Sequence, residues 1–91
     1  MENKEIRILL NEAQFSQVVK IGRIVYVTTN ASKTEFPLSS MDVREMCNGK
    51  ILIKKVDDQI FEIAIAKIDK ETIKEILKRT PLYSSLAEEI N

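Results

Sequence analysis

The pattern of apolar and polar positions changes period several times along the chain, and each change marks an element. The strongest stretch is Lys50–Ile68 (KILIKKVDDQIFEIAIAKI), two β-branched runs on either side of Asp57-Asp58-Gln59 with no glycine or proline inside them. It predicts an antiparallel β-hairpin at the centre of the hydrophobic core. Ile51 and Ile53 on one strand and Phe61, Ile63 and Ile65 on the other are all odd-numbered, so pairing them requires partner numbers with an even sum. A three-residue loop, Asp57-Asp58-Gln59, meets that requirement. It pairs Val56 with Ile60, Ile53 with Ile63 and Ile51 with Ile65, and sets Lys54 opposite Glu62 on the second face.

Upstream, Glu5–Lys20 does not fit one helix. At about 100° per residue, Ile6, Leu9, Leu10 and Ala13 fall opposite Ile8, Phe15, Val18 and Val19. A strand over Glu5–Leu10 followed by a helix over Glu12–Lys20 resolves this. Asn11 is then the N-cap, Gln14 its capping-box partner, and Gly22 the stop. Residues 18–21 also fit the start of the next strand. Arg23–Thr29 alternates as a strand, and Asn30–Pro37 reads as a polar, Pro-terminated loop. Ser39 or Ser40 caps a helix over Met41–Asn48, with Val43, Met46 and Cys47 on its apolar side and Gly49 after it. Asp69 caps Lys70–Thr80, whose Ile73, Ile76, Leu77 and Thr80 form a buried stripe, with Glu75 and Arg79 as an i,i+4 pair. Pro81 ends that helix, and Ser85-Leu86-Ala87-Glu88 opens a last helical turn that docks Leu86 and Ile90. The expected fold is therefore a small single α+β domain over residues 1–91. Its order is β-α-β-α-β-β-α, with a mixed sheet centred on the 50–68 hairpin and helices packed on one face.

Composition narrows the function classes. The 14 basic and 14 acidic residues cancel, and they cancel locally too: Met1–Met46 carries six of each sign and Cys47–Asn91 eight of each. Such a chain casts little long-range field toward nucleic acid or anionic membrane. Histidine is absent, which removes the commonest neutral-pH acid–base, the commonest metal ligand and the Ser-His and Cys-His nucleophile pairs. Cys47 stands alone, so neither an internal disulfide nor a cysteine metal cluster forms, and a reducing prokaryotic or viral cytoplasm is the expected setting. Gly22 and Gly49 are too far apart for a phosphate loop. No apolar run approaches the ~20 residues of a membrane span, and Met1–Glu5 is charged with no apolar signal core behind it. The chain is expected to be non-enzymatic, with no cofactor and no metal.

Three readings follow. On the predicted register the second hairpin face carries Leu52, Val56, Ile60, Ala64 and Ala66, a half-apolar surface that suits a protein partner or a second copy. The first reading is a non-catalytic interaction or regulatory module, a homodimer through the sheet. The second is a nucleic-acid binder using Lys50, Lys54, Lys55 and Lys67. The predicted β-α-β-α-β-β order resembles that of small Alba-like nucleic-acid-binding domains, with Phe61–Lys67 (FEIAIAK) in the place of their last hairpin. The glycine-containing basic loop and the basic surplus of those domains are missing here. The third is a small enzyme working with carboxylates alone. Asp57-Asp58, Cys47, Tyr26 and Tyr83 read as a turn, a core filler and core-edge aromatics respectively.

Overall fold

Each α-helix of the chain begins where its sequence places a capping side chain. The structure, a computed structural model, describes residues 4–90. Its first strand, β1, spans Lys4–Leu10, and α1 follows over Glu12–Ile21. Asn11 accepts from the Gln14 backbone N–H at 2.8 Å and its own N–H donates to the Gln14 side chain at 2.9 Å, closing the capping box. The helix runs through residues 18–21 and ends at Gly22, which is left-handed at φ 75°. That conformation is what asks for glycine here, since the nearest obstacle to a Cβ is the tip of the exposed Leu82 side chain, which can move aside.

Two strands follow where one strand and a loop are expected. β2 (Arg23–Val27) and β3 (Lys33–Pro37) form an antiparallel hairpin, Ile24 opposite Phe36 and Tyr26 opposite Thr34. The Asn30–Pro37 loop is thus a short turn leading into a strand. Pro37 fits because it ends β3 at the edge of a two-stranded sheet. The element order becomes β-α-β-β-α-β-β-α, and the resemblance to Alba-like topology, which rests on a single strand before the second helix, does not hold.

α2 (Ser40–Cys47) is capped by Ser39, with Asp42 completing the box, and buries Val43, Met46 and Cys47. β4 (Leu52–Val56) and β5 (Gln59–Ile65) form the central hairpin, and β1 adds to β5 in parallel, giving the order β1-β5-β4. α3 (Lys70–Lys78) starts at Asp69, whose carboxylate accepts from the Thr72 backbone N–H at 2.9 Å. Its Ile73, Ile76 and Leu77 are buried, as is Thr80 just beyond it. Glu75 pairs with Lys78 at 3.6 Å rather than with Arg79, whose side chain donates to the Glu75 carbonyl. A short 3-10 helix over Ser84–Glu89 closes the core with Leu86, Ala87 and, after it, Ile90; it starts after Tyr83 with no side-chain cap, so the expected Ser85 box does not form.

The central hairpin differs from its expected register. Val56 pairs with Gln59, Lys54 with Phe61, Ile53 with Glu62 and Leu52 with Ile63, around a two-residue turn at Asp57-Asp58. Asp57 takes the left-handed conformation, φ 55°. The shift by one residue exchanges the two faces of β4: Leu52 is buried, while Ile51 and Ile53 point to solvent. Phe61 decides the register. It is fully buried against Tyr26 (centroids 5.5 Å apart, edge-on) and Phe36 (5.1 Å), so the β2–β3 hairpin packs over the inner face of the sheet. Thr34 on β3 donates to Gln59 across the same gap at 3.2 Å.

Candidate interaction surface

The two faces of the β1-β5-β4 sheet have separate fates. Inward, Ile6, Leu10, Phe61, Ile63 and Leu52 are buried, and Ile8, Val56 and Ile65 pack against them. Lys54 also points inward, where its ammonium meets Asp42 of α2 at 3.0 Å. Burial works against ionisation of that carboxyl. The Ser39 backbone N–H, Lys54 and the Ser39 hydroxyl outweigh it and hold Asp42 below the usual carboxylate range.

Outward, the strand registers build three rows across the sheet. The first is Glu5, Ile60 and Lys55; the second is Arg7, Glu62 and Ile53. The third is Leu9 and Ala64, with Ile51 beside Ala64 just before β4. Leu9 is 65% exposed, Ile51 62% and Ile53 64%, values far from those of any core residue. Arg7 Nε lies 3.1 Å from Glu62 Oε2 in the middle of the face. A hollow of about 450 Å³ opens over Ala64, walled by Leu9 and Ile51 and closed at one end by Arg7 and Glu62. Three large aliphatic side chains, one small floor residue and one ion pair thus share a surface that no other element among the described residues covers.

Of the residues read from sequence as a partner surface, Ile60 and Ala64 lie on this outer face, half-buried, and Ala66 follows just past the end of β5. Leu52 and Val56 do not: Leu52 is 6% exposed and Val56 packs against the core. Leu9, Ile51 and Ile53 take their place. The exposed leucine on β1 carried a signal in the sequence, since Leu9 and Leu10 are adjacent in a strand and only one of them can face inward.

The four lysines do not converge. Lys54 is neutralised by Asp42 on the inner side, and Lys55, its neighbour on β4, points to the outer one. Lys50 precedes β4 and Lys67 follows β5, at the end of the hairpin away from the turn. The other singled-out residues are absorbed by the fold. Burial pushes the Cys47 thiol up to about 12, which keeps it a neutral packing group. Tyr83 is buried and donates its hydroxyl to the Leu38 carbonyl at 2.6 Å. A hollow of about 570 Å³ between Gly22, Leu38 and Leu82 has Glu35 as its acidic group, bound to Arg23 at 3.1 Å and Lys33 at 3.3 Å. No group of three or more Cys, Asp or Glu side chains able to hold a metal occurs among the described residues. No helix among them is long and apolar enough to cross a membrane.

Comparisons with protein-family models, with curated proteins and with solved structures gave no match for this chain.

Proposed function

We propose that this protein is a non-catalytic interaction module that works through the outer face of its β1-β5-β4 sheet and pairs there with a second copy of itself. One observation carries the reading: Leu9, Ile51 and Ile53 stand together on a sheet face that no described element covers. Apolar side chains of this size are normally drawn into a core, and a contiguous exposed group on a small domain marks a contact surface. The even charge balance supports self-association, because a neutral chain does not repel its own copy.

Sedimentation velocity from ~1 to ~500 µM tests this. Wild-type protein is expected to shift from monomer to dimer over that range, and Ile53→Glu, which adds a charge to the exposed face, to stay monomeric with an unchanged circular-dichroism spectrum. A wild-type chain that sediments as a monomer throughout would overturn the reading.

A further inference from the structure

Resting on that reading, we infer that the two copies pack sheet to sheet about a two-fold axis running along β5, so that β1 of one protomer lies over β4 of its partner. The outer face has direction. Its first row carries Glu5 on the β1 side and Lys55 on the β4 side, flanking Ile60, while its third row holds only Leu9, Ala64 and Ile51. An axis along β5 exchanges the β1 and β4 edges and keeps each row over itself. Glu5 of each copy then faces Lys55 of the other, Leu9 faces Ile51, and the small Ala64 residues meet on the axis.

An axis running across the strands never sets Glu5 against Lys55; placed on the third row it stacks Leu9, Ala64 and Ile51 on their own copies and leaves the first row outside the contact. Placed on the middle row, it sets Glu5 against Leu9 and Lys55 against Ile51, removing charges from water with no partner. Placed on the first row, it sets Glu5 against Glu5 and Lys55 against Lys55, and like charges in register repel. The axis along β5 matches charge in the first row and apolarity in the third; in the middle row it sets Arg7 over the partner's Ile53 and Glu62 over the partner's Glu62. Glu62 comes near its own copy on the axis, and the Arg7 guanidinium at 3.1 Å supplies the compensating charge in each protomer.

The size of the contact sets its strength. Three strands about 4.8 Å apart and about five residues long make a patch of roughly 250 Å² in projection. Counted on both copies that is roughly 500 Å², well below the ~1,200 Å² at which stable interfaces begin, so the pairing is weak and transient.

Charge exchange tests the arrangement. Glu5→Lys alone sets a lysine against a lysine at both ends of the first row, and Lys55→Glu alone sets a glutamate against a glutamate there. Each is expected to weaken self-association about tenfold, since two rim pairs change from attraction to repulsion. An equimolar mixture of the two variants restores complementarity at both ends, and sedimentation should recover a heterodimer of near wild-type affinity. The double variant E5K/K55E should recover the homodimer. Both positions are exposed, so folding is not at stake, and circular dichroism checks it. If wild-type protein dimerises but both single variants dimerise equally well, or if mixing them rescues nothing, this arrangement is overturned while the dimer stands. If wild-type protein is a monomer, both inferences fall.

Discussion

The two faces of the β1-β5-β4 sheet are built from nearly the same residue types and do opposite jobs. The inner face holds Ile6, Ile63 and Leu52 around Phe61; the outer face holds Leu9, Ile51 and Ile53 around Glu62. Aliphatic content alone does not separate them. What separates them is the aromatic ring at position 61, which the β2–β3 hairpin encloses with Tyr26 and Phe36, and the ion pair on each side. Lys54–Asp42 on the inner side ties the sheet to α2, and Arg7–Glu62 on the outer side ties two strands that are already paired.

The largest test of this contrast is Phe61→Ala. Phe61 is fully buried, and deleting its ring leaves a cavity in the core where the β2–β3 hairpin meets the sheet. Equilibrium unfolding in urea is expected to show a loss of about 3–5 kcal/mol, a large share of the stability of a domain this size. A loss near zero would mean that the β2–β3 hairpin does not close over the sheet as described.

Much of this was legible from residues that act locally. Asn11, Ser39 and Asp69 each cap a helix, as their positions ahead of an apolar period predict, because a cap is decided by residues within one turn of it. The stripes of α2 and α3 follow from spacing for the same reason. β3 escaped notice because Lys33–Pro37 offers only Thr34 and Phe36 to the interior, and its strand character comes from pairing with β2. The hairpin register escaped because isoleucine looks the same whether it faces a core or a partner. Counting Ile51 and Ile53 as core residues gives the wrong parity, and Leu52 and Val56 then appear on the outer side. The ring of Phe61 with the hairpin packed on it, and the Lys54–Asp42 pair, distinguish the faces, and the aromatic contact joins positions 25 to 35 residues apart in sequence. The same two exposed isoleucines that mislead about the fold are the best evidence for the surface.

A smaller effect distinguishes the two ion pairs, which are almost equal in length. Asp42 is 14% exposed, whereas Arg7 is 82% exposed. Asp42→Asn is therefore expected to cost about 1 kcal/mol at pH 7, while Arg7→Gln changes monomer stability by less than about 0.5 kcal/mol. The Asp42 contribution depends on pH with a definite sign. Its carboxyl is held below the ordinary value of 3.8, so the folded state binds that proton less readily than the unfolded chain. The stabilisation is complete above the ordinary value and disappears as pH falls through the lower folded one. Unfolding curves of wild type and Asp42→Asn should thus differ at pH 7 and draw together as pH falls below the ordinary carboxylate value of 3.8. Equal spacing at pH 7 and below that value would show that the charge on Asp42 contributes nothing to holding α2 on the sheet.

The smallest effect concerns the turn that sets which face is which. Asp57 is left-handed, a conformation that costs a residue with a Cβ about 1 kcal/mol, somewhat less for aspartate. Glycine removes that strain but enlarges the conformational freedom of the unfolded chain by about 0.5–1 kcal/mol. The two nearly cancel, so Asp57→Gly is expected to leave stability within about 0.5 kcal/mol of wild type. The observed register depends on a loop of two residues, without a third loop position. Adding one would restore the even-sum pairing and turn Ile51 and Ile53 inward, at the cost of exposing Leu52. If Asp57→Gly instead destabilised the fold by about 1 kcal/mol or more, the Asp57 side chain would be fixing the turn. The choice of inner face would then rest on the turn and not on Phe61.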